Sequence, residues 1–368
     1  MMAMEHAFTS QIRNILKDEF GKLADSVFEA SPLIQYLNIK TKSASRGSKS
    51  RSAFANHYAV YVIVEDYLKR GYGKSGEYGN DEGAKFTDLF RRQRELPFGG
   101  KLQNHALNSR MNEEFKKYFP TCEYQPIIRN TDTNRYWINE HLIRVKIANK
   151  TVNIAKCIIK IIDAYVAAKR IAFESFIAAC QNIRKSKKKD RKAVMQFISS
   201  LLEPHVDARI FEIVSYAVLK EHYARQAIYW GWKRDEVDEV FLMLYKTGRC
   251  NANDGGIDFV MRPLGRFFQV TETLDVRKYF LDIDKVQRYP ITFVVKSNES
   301  IEELAAKIKQ HAQRFYGIKK IVDRYMECVE EIINIPKLLQ SLNVIAKEGR
   351  TAKIMDEIVI QSKLEFNF

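Results

Sequence analysis

Residues 254–273 constrain the fold of this chain most, because they join a glycine turn to two short strands with polar side chains at defined positions. The stretch reads DGGIDFVMRPLGRFFQVTET. Its Gly-Gly turn delivers Asp258 onto an apolar strand, and a polar turn around Gly265 leads into a second strand. Because strand side chains alternate, Gln269 and Thr271 share one face of that second strand. An acid and another oxygen ligand on adjacent strands can hold a hard divalent cation.

The flanking segments extend this hairpin into a mixed α/β unit. Residues 208–224 have the apolar spacing of a helix, with Glu212 near its start. Residues 276–288 predict a second helix, which Asp275 can cap. Residues 291–296 (ITFVVK) predict a buried strand. The order of helix, strand, hairpin, helix and strand favours an α/β core over an isolated hairpin.

These residues resemble the core of the PD-(D/E)XK nuclease superfamily, in the variant in which Gln replaces the second acid. The pattern there is Gly-Ile/Val-Asp, a hairpin, and then Gln-x-Lys. Asp258 matches the family's Asp and Gln269 its Gln, whereas Thr271 stands at the Lys position. The resemblance covers residues 206–300. The size of the chain and its basic N-terminal part look like those of a type II restriction endonuclease.

The resemblance implies a PD-(D/E)XK-type mixed sheet flanked by helices, with a largely helical N-terminal region. It also implies Mg²⁺-dependent, sequence-specific hydrolysis of phosphodiesters in double-stranded DNA. Asp258, Gln269 and Glu212 would bind the Mg²⁺, and Thr271 would complete the catalytic set. A hydroxyl group at Thr271 can hold a water molecule but cannot supply the positive charge of a Lys. A short symmetric target would further require a homodimer, so that one active site serves each DNA strand.

A basic residue from elsewhere in the chain would have to replace the missing Lys. The candidates are Lys278 on the following helix, Arg266 in the hairpin turn and Lys246 before the hairpin. Each of them also suits a contact with the DNA backbone or an exposed surface position. Glu272 faces away from Gln269 on an ideal strand, so it is a weaker ligand candidate unless a β-bulge re-aims it.

Three other interpretations stay open at the level of sequence. Asp258 also suits the turn of an ordinary β-hairpin. A nuclease of this superfamily can serve repair or methylation-dependent cleavage. Thr271 also suits a DNA-binding protein with an inactive nuclease fold. The sequence has no P-loop, no Gly-x-Gly-x-x-Gly that opens a helix and no Gly-x-Ser-x-Gly, so it gives no support to the chemistries of those motifs.

The charge of the chain points to a polyanionic partner. Sixty Lys and Arg residues stand against 45 acids, and the formal net charge is +15. A field of that sign attracts polyanions, of which nucleic acid is the commonest. The alternative is a basic protein with solvated Lys faces, which charge by itself does not exclude.

Two segments carry candidate DNA-binding residues. Residues 41–52 place basic side chains among small polar residues, which suits either an arm on the phosphate backbone or a solvated loop. Residues 91–110 are rich in the Arg, Lys, Asn and Gln side chains that contact base edges, although Asn and Gln also serve local turns. The predicted DNA-binding residues are Arg46, Lys49, Arg51, Lys101, Gln103, Asn104, Asn108 and Arg110.

The pattern along the chain predicts three parts. Residues 1–150 form the DNA-recognition region, 151–205 the linking helices and a basic loop, and 206–368 the nuclease core with C-terminal helices. Within the last part, residues 301–350 predict helices and the tail 353–368 a further strand.

Cysteine usage and hydropathy predict a cytoplasmic protein. The five cysteines are scattered and include no Cys-x-x-Cys, which supports neither a zinc site nor a disulfide framework. No 18-residue apolar run is present, so no membrane span is predicted. The first residues, MMAMEH, lack the basic start and apolar core of a signal peptide.

Overall fold

The computed structural model describes residues 4–42, 50–74, 77–100, 102–185, 191–247, 257–272 and 276–366. These residues fall into two compact units, the N-terminal unit ending at Phe176 and the C-terminal unit beginning at Ile177. The division lies inside one long helix, within residues 151–205, for which the sequence predicts linking helices. In the part of the chain so described, no helix is both long enough and apolar enough to cross a membrane.

The N-terminal unit consists mainly of helices, as the sequence predicts. They are α1 (Thr9–Phe20), α2 (Ala24–Ala30), α3 (Pro32–Thr41), α4 (Ser50–Lys69), α5 (Phe86–Glu95), α6 (Met111–Tyr118), α7 (Glu140–Ile143) and α8 (Ala155–Lys185), which continues into the other unit. A π-helical turn, Ala106–Arg110, leads into α6. Ser31 ends α2 and caps α3, because its hydroxyl oxygen accepts a hydrogen bond from the Ile34 N–H at 3.2 Å.

Two small sheets also lie in this unit, and the sequence does not predict them. Strands β1 (Ala84–Lys85), β3 (Arg135–Ile138) and β2 (Ile127–Asn130) form one antiparallel sheet in that order. Strands β4 (Arg144–Ile147) and β5 (Lys150–Asn153) form a separate hairpin. Each strand is four residues or shorter, and segments this short carry too few alternations to stand out as strands.

Helix α4 is the centre of the N-terminal core. Its run Tyr61-Val62-Ile63-Val64 is compatible with a strand, yet it is helical and all four side chains are buried. Tyr58 and Tyr67 on the same helix are buried as well. A helix that is apolar on nearly every side is typical of a central position in a helical core.

His57 lies at the middle of this core and is fully buried. Its ring lies 4.7 Å from the ring of Tyr165, measured between centroids. Burial, together with the positive charge of Lys40, lowers the pKa of His57 to about 3. The folded protein therefore keeps this ring neutral at pH values at which an unfolded chain would protonate it.

We expect acid to destabilise the fold through His57. Below the ordinary pKa of 6.5, the unfolded chain binds a proton that the folded chain does not take up until about pH 3. The free energy of unfolding should then fall by about 1.4 kcal/mol per pH unit at most, or about 2 kcal/mol between pH 7 and pH 5. Urea unfolding at both pH values should show a smaller loss in His57→Phe than in the parent. His311→Gln, at an exposed position, is the control. Equal losses in parent and His57→Phe would contradict this assignment.

The C-terminal unit is built on a five-stranded mixed sheet. Its strands are β8 (Met243–Lys246), β9 (Phe259–Arg262), β10 (Arg266–Thr271), β11 (Ile291–Val295) and β12 (Val329–Ile333), in the order β12-β11-β10-β9-β8. Strands β8, β9 and β10 form an antiparallel meander, whereas β11 is parallel to both β10 and β12. Gly265 has φ 68° in the turn between β9 and β10, a conformation that favours glycine.

The remaining elements of this unit are helices and one separate ribbon. The helices are α9 (Arg191–Ser200), α10 (Ala208–Tyr223), α11 (Val276–Lys285), α12 (Ile301–Tyr316), α13 (Lys319–Met326), α14 (Ile335–Lys347) and α15 (Thr351–Phe366). The ribbon is the antiparallel pair β6 (Ala227–Trp230) and β7 (Asp238–Phe241). The predicted helices at 208–224 and 276–288 and the predicted strand at 291–296 are thus confirmed, apart from their exact ends.

Helices cover both faces of the mixed sheet. On one face, Tyr216 of α10 lies 5.1 Å from the ring of Phe259. On the other face, Tyr279 of α11 stacks on Phe293 at 4.3 Å, and Leu304 of α12 joins the same core cluster. The sheet therefore forms the middle layer of a helix–sheet–helix arrangement, which is the mixed α/β class that the sequence predicts.

Two predictions for the C-terminal part are wrong. Residues 329–333 form strand β12 instead of helix, because β11 offers them a parallel partner and the adjacent Arg266 and Lys337 pair with Glu331. The tail forms helix α15 instead of a strand. Its buried residues Ile354 and Ile358 are four positions apart, which is the helical period, and Glu357 pairs with Lys220 of α10 at 2.8 Å.

Candidate active site

The candidate site lies where the pairing of β9 and β10 ends. The last pair in register is Phe259 with Phe268. Just before it, the main chain of Asp258 bonds in two directions. Its N–H donates to the carbonyl of Phe268 in β10 at 2.9 Å, and its carbonyl accepts the N–H of Thr247, next to β8, at 3.0 Å. These bonds fix the Asp258 main chain between its two neighbouring strands.

The carboxylate of Asp258 replaces a main-chain partner at this point. Its Oδ2 accepts a hydrogen bond from the N–H of Val270 at 2.7 Å. A ladder N–H that would otherwise lack its partner is thereby satisfied. The position of the Asp258 side chain at this strand end is therefore fixed by hydrogen bonds to the neighbouring strands of the same sheet.

The surroundings of Asp258 disfavour its charged form and raise its pKa. Burial, followed by the negative charge of Glu212, raises its pKa to about 7, although the Val270 hydrogen bond and the positive charges of Arg209 and Lys246 act in the opposite direction. Shifts of this size cluster at functional sites, because a carboxyl group with a pKa near neutral pH can exchange a proton or bind a cation.

Glu212 lies in the second turn of α10 and is buried. Asp207 begins that helix, since its Oδ1 accepts the N–H of Arg209 at 2.7 Å. The carboxylate of Glu212 contacts Lys246 of β8 at 2.9 Å and also pairs with Arg209. Burial acts to raise the pKa of Glu212, but the charges and hydrogen bonds of Arg209 and Lys246 outweigh it and lower that pKa.

Gln269 and Thr271 lie together on β10 but on the face that α11 covers. Phe268, which forms the last pair with Phe259, contacts Tyr223 of α10. Because side chains alternate along a strand, the residues on either side of Phe268 face α11. Burial raises the pKa of Tyr279 in α11, and a hydrogen bond between Tyr279 and Thr271 acts to lower it, so the two side chains are neighbours. Thr271 is therefore turned away from the α10 face that carries Glu212.

Gln269 has an acceptor atom that the surrounding residues leave unused. Its Nε2 donates to the carbonyl of Val270 at 3.2 Å. Its Oε1 is buried and has no hydrogen-bond partner among the described residues. A buried amide oxygen without a partner is rare, and it suits a water molecule or a cation.

The structure therefore brings together Asp258 and Glu212 but not all three predicted ligands. Glu212 lies on the α10 face of the sheet and Gln269 on the α11 face, with the Asp258 carboxylate bound to the ladder N–H of Val270. Within residues 4–366 apart from the gaps given above, no group of three or more His, Cys, Asp or Glu side chains is arranged to hold a metal ion. The sequence could not foresee this, because alternation relates positions on one strand and not the faces of different elements.

Of the candidates for the missing Lys, Lys246 is the one that the structure places beside Asp258 and Glu212. Arg266 instead bonds Thr292 at 2.9 Å and pairs with Glu331, at the opposite end of β10. The side chain of Lys278 lies outside the described residues.

Lys296 is a basic residue of this region that the sequence argument missed. It follows the last residue of β11, and its N–H donates to the carbonyl of Thr271 at 2.9 Å. Its Nζ donates to the carbonyl of Val206, just before α10, at 2.6 Å and pairs with Glu272. The signal was available, because residues after neighbouring parallel strands come to the same edge of a sheet.

The predicted DNA-binding residues divide into three groups. Arg46, Lys49 and Lys101 lie outside the described residues, and so does the side chain of Arg51. Gln103 and Arg110 are exposed. Asn104 and Asn108 are half-buried, and the Oδ1 of Asn108 accepts a hydrogen bond from the hydroxyl of Tyr136 at 3.2 Å.

Part of the 91–110 segment serves the N-terminal fold. Gln93 is fully buried and donates to the carbonyl of Ala55 at 3.3 Å. Arg92 bonds Glu65 at 2.9 Å, and both line a cavity of about 440 Å³. Both acidic and basic side chains line that cavity, so its charges largely compensate one another.

No protein-family model, no curated protein and no solved structure matches this chain.

We expect the charge of Asp258 to cost stability at neutral pH. A carboxyl group whose pKa is raised in the folded state favours folding only while it is protonated, and this contribution is lost as the pH rises through about 7. In EDTA, Asp258→Asn should therefore be more stable than the parent at pH 8, by on the order of 1–2 kcal/mol after allowance for partial exposure. The difference should shrink toward pH 5. Urea unfolding would measure it, with the exposed Asp284→Asn as control. A difference that does not change with pH would contradict the raised pKa.

Proposed function

We propose that this chain is a Mg²⁺-dependent endonuclease of the PD-(D/E)XK type that cleaves double-stranded DNA at a short specific site, as type II restriction endonucleases do. The observation that carries the proposal is the order and direction of the elements around Asp258. Helix α10, the antiparallel meander β8-β9-β10, helix α11 and the parallel strand β11 follow one another in the C-terminal unit. At one end of that meander, Glu212 of α10 and Asp258, the residue just before β9, lie close enough for the charge of Glu212 to act on Asp258.

The chemistry of the site supports a divalent cation. Asp258 and Glu212 are carboxylates close enough for the charge of one to raise the pKa of the other. A cation held by both would offset this repulsion. The unused Oε1 of Gln269 is another hard oxygen donor of β10, but it lies on the α11 face, opposite the α10 face that carries Glu212. A bound Mg²⁺ would supply Lewis-acid polarisation of a phosphoryl oxygen.

The basic residues of the chain have separate roles in this proposal. Lys246 and Arg209 already balance Glu212, so a phosphate entering here would meet positive as well as negative charge. Such fixed charges stabilise the negative charge that develops on a phosphate in the transition state. The net charge of +15 draws DNA to the protein, and the exposed Gln103 and Arg110 remain our candidates for base contacts.

A DNA-binding protein with an inactive nuclease fold is the second candidate function. Two observations favour it. Thr271 is buried on the α11 face, and Glu212 is already neutralised by its two basic partners. Repair and methylation-dependent cleavage differ from the first proposal in target and not in site chemistry.

We expect Asp258→Ala to abolish cleavage while DNA binding stays within a few-fold. The reason is that Asp258 would hold the cation, whereas the basic surface that attracts DNA is unchanged. The assay uses plasmid DNA with Mg²⁺ or with EDTA, and a gel-shift measurement reports binding. Glu302→Ala, at an exposed position on α12, is the matched control. Discrete fragments from the parent support a restriction enzyme and a smear supports a less specific nuclease. An intact plasmid with a gel shift supports the second candidate.

Lys246→Met should reduce cleavage by about a hundred-fold or more if this residue supplies the positive charge that Thr271 lacks. Lys337→Met is the matched control, because Lys337 also pairs with a half-buried glutamate of the same sheet, Glu331. Thermal unfolding of both variants would show whether they remain folded. If Lys246→Met cleaves like the parent, the positive charge comes from elsewhere, and Lys296→Met becomes the next variant to measure.

A further inference from the structure

The ribbon β6–β7 exposes an unusual amount of aromatic surface. Tyr229 is 77% exposed, Trp232 is 89% exposed and Phe241 is 55% exposed. Two of the three tryptophans of the chain, Trp230 and Trp232, lie in this segment and contact each other at 6.2 Å between ring centroids. We call residues 227–241 the aromatic ribbon. Aromatic side chains exposed together in this way mark a surface that another molecule covers.

The aromatic ribbon has a defined shape. Its strands pair over four residues, and among the described strands they pair only with each other. Gly231 permits the tight crossing at the tip, because a Cβ atom there would lie 2.2 Å from the carbonyl oxygen of Glu236. At the base, Leu242 N–H donates to the carbonyl of Gln226 at 2.8 Å. A two-stranded ribbon is only marginally stable by itself, so packing against a partner would stabilise it.

The exposed surface continues from the ribbon onto the sheet. Met243 and Tyr245 are exposed on β8, the edge strand of the five-stranded sheet. They alternate with Leu244, which is buried, and so continue the direction set by Phe241. Large aromatic side chains bury about 150–250 Å² each. The exposed parts of these side chains can therefore supply several hundred Å² toward the roughly 800 Å² per partner of a standard interface.

The charge of the ribbon disfavours a nucleic acid as its occupant. The tip reads Lys233-Arg234-Asp235-Glu236, and Asp238 and Glu239 follow on β7. Four exposed acids against two exposed basic residues would repel phosphates, in a chain that is otherwise strongly basic. The aromatic side chains therefore fit a protein partner better than stacked bases.

The tip is also complementary to itself. Two basic residues are followed directly by two acidic residues. If two copies meet across a two-fold axis at the tip, their segments run antiparallel. Lys233 and Arg234 of one copy then lie opposite Asp235 and Glu236 of the other. Such self-complementarity is what an interface between identical subunits requires. Within one chain, Lys233 and Glu236 pair with each other at 2.8 Å. Because both side chains are exposed, Lys233 of one copy can pair with Glu236 of the other copy instead.

We propose that the aromatic ribbon is the surface through which two copies of this chain associate. The apolar side chains Tyr229, Trp232 and Phe241 form the centre of the interface, and the charged tip sets its two-fold register. The proposal rests on the exposure, shape and charge order of the ribbon. It does not depend on nuclease activity, so the two can fail separately.

The test exchanges the charges at the tip of the full-length protein. One variant carries Lys233→Glu and Arg234→Glu, and the other carries Asp235→Lys and Glu236→Lys. Light scattering after size-exclusion chromatography should give a dimer for the parent and a monomer for each variant alone, because like charges then oppose each other across the axis. An equimolar mixture of the two variants should recover the dimer mass. Circular dichroism would confirm that both variants are folded.

A second variant tests the apolar centre. Trp232→Ala should raise the dissociation constant of the dimer on the order of ten-fold or more, as expected for an aromatic anchor. Ile171→Ala, at an exposed apolar position on α8, should leave it unchanged. A monomeric parent, or a dimer mass that both charge variants retain, would overturn the proposal. So would a loss of DNA binding in Trp232→Ala with the dimer intact, since the ribbon would then serve nucleic acid.

Discussion

Strand β10 is the element on which the C-terminal unit depends, because it is paired on both edges and covered by helices on both faces. Its antiparallel partner β9 and its parallel partner β11 hold it in the middle of the sheet. Phe268 packs toward α10, and Thr271 faces α11. A strand held in this way has little freedom to move, so the end of its pairing with β9 is a fixed place for polar groups. Asp258 occupies that place through its bond to Val270.

The electrostatics of the candidate site follow from this rigid frame. Glu212 enters from a helix and is balanced by Arg209 and Lys246, while Asp258 has a hydrogen bond but no direct basic partner among the ion pairs described. Because the two acids share one partly buried region, the unbalanced one holds its proton to about pH 7. One negative charge of the site is therefore unbalanced, and the Mg²⁺ that we propose would offset it. This unbalanced charge lowers the stability of the fold at neutral pH.

The aromatic ribbon differs in charge from the rest of the chain, and this difference separates the proposed dimer surface from the surface that would attract DNA. The chain as a whole is basic, which suits a polyanion, whereas the aromatic ribbon of residues 227–241 is locally acidic and apolar. A two-fold dimer through that ribbon would provide two copies of the Asp258 site. Both strands of a duplex could then be served by one assembly, which is the arrangement that a short symmetric target requires.

Local sequence patterns specified helix α10, the hairpin that carries Asp258 and Gln269, and strand β11. Helical period, strand alternation and turn residues act over a few neighbouring positions, so these could be predicted. Tertiary structure decided which groups meet. Strand β12 exists because β11 offers it a partner, and Lys246 and Lys296 reach the site because distant segments pack there. It also turned Gln269 and Glu212 to opposite faces of one sheet, since the face that a residue occupies depends on what packs against it.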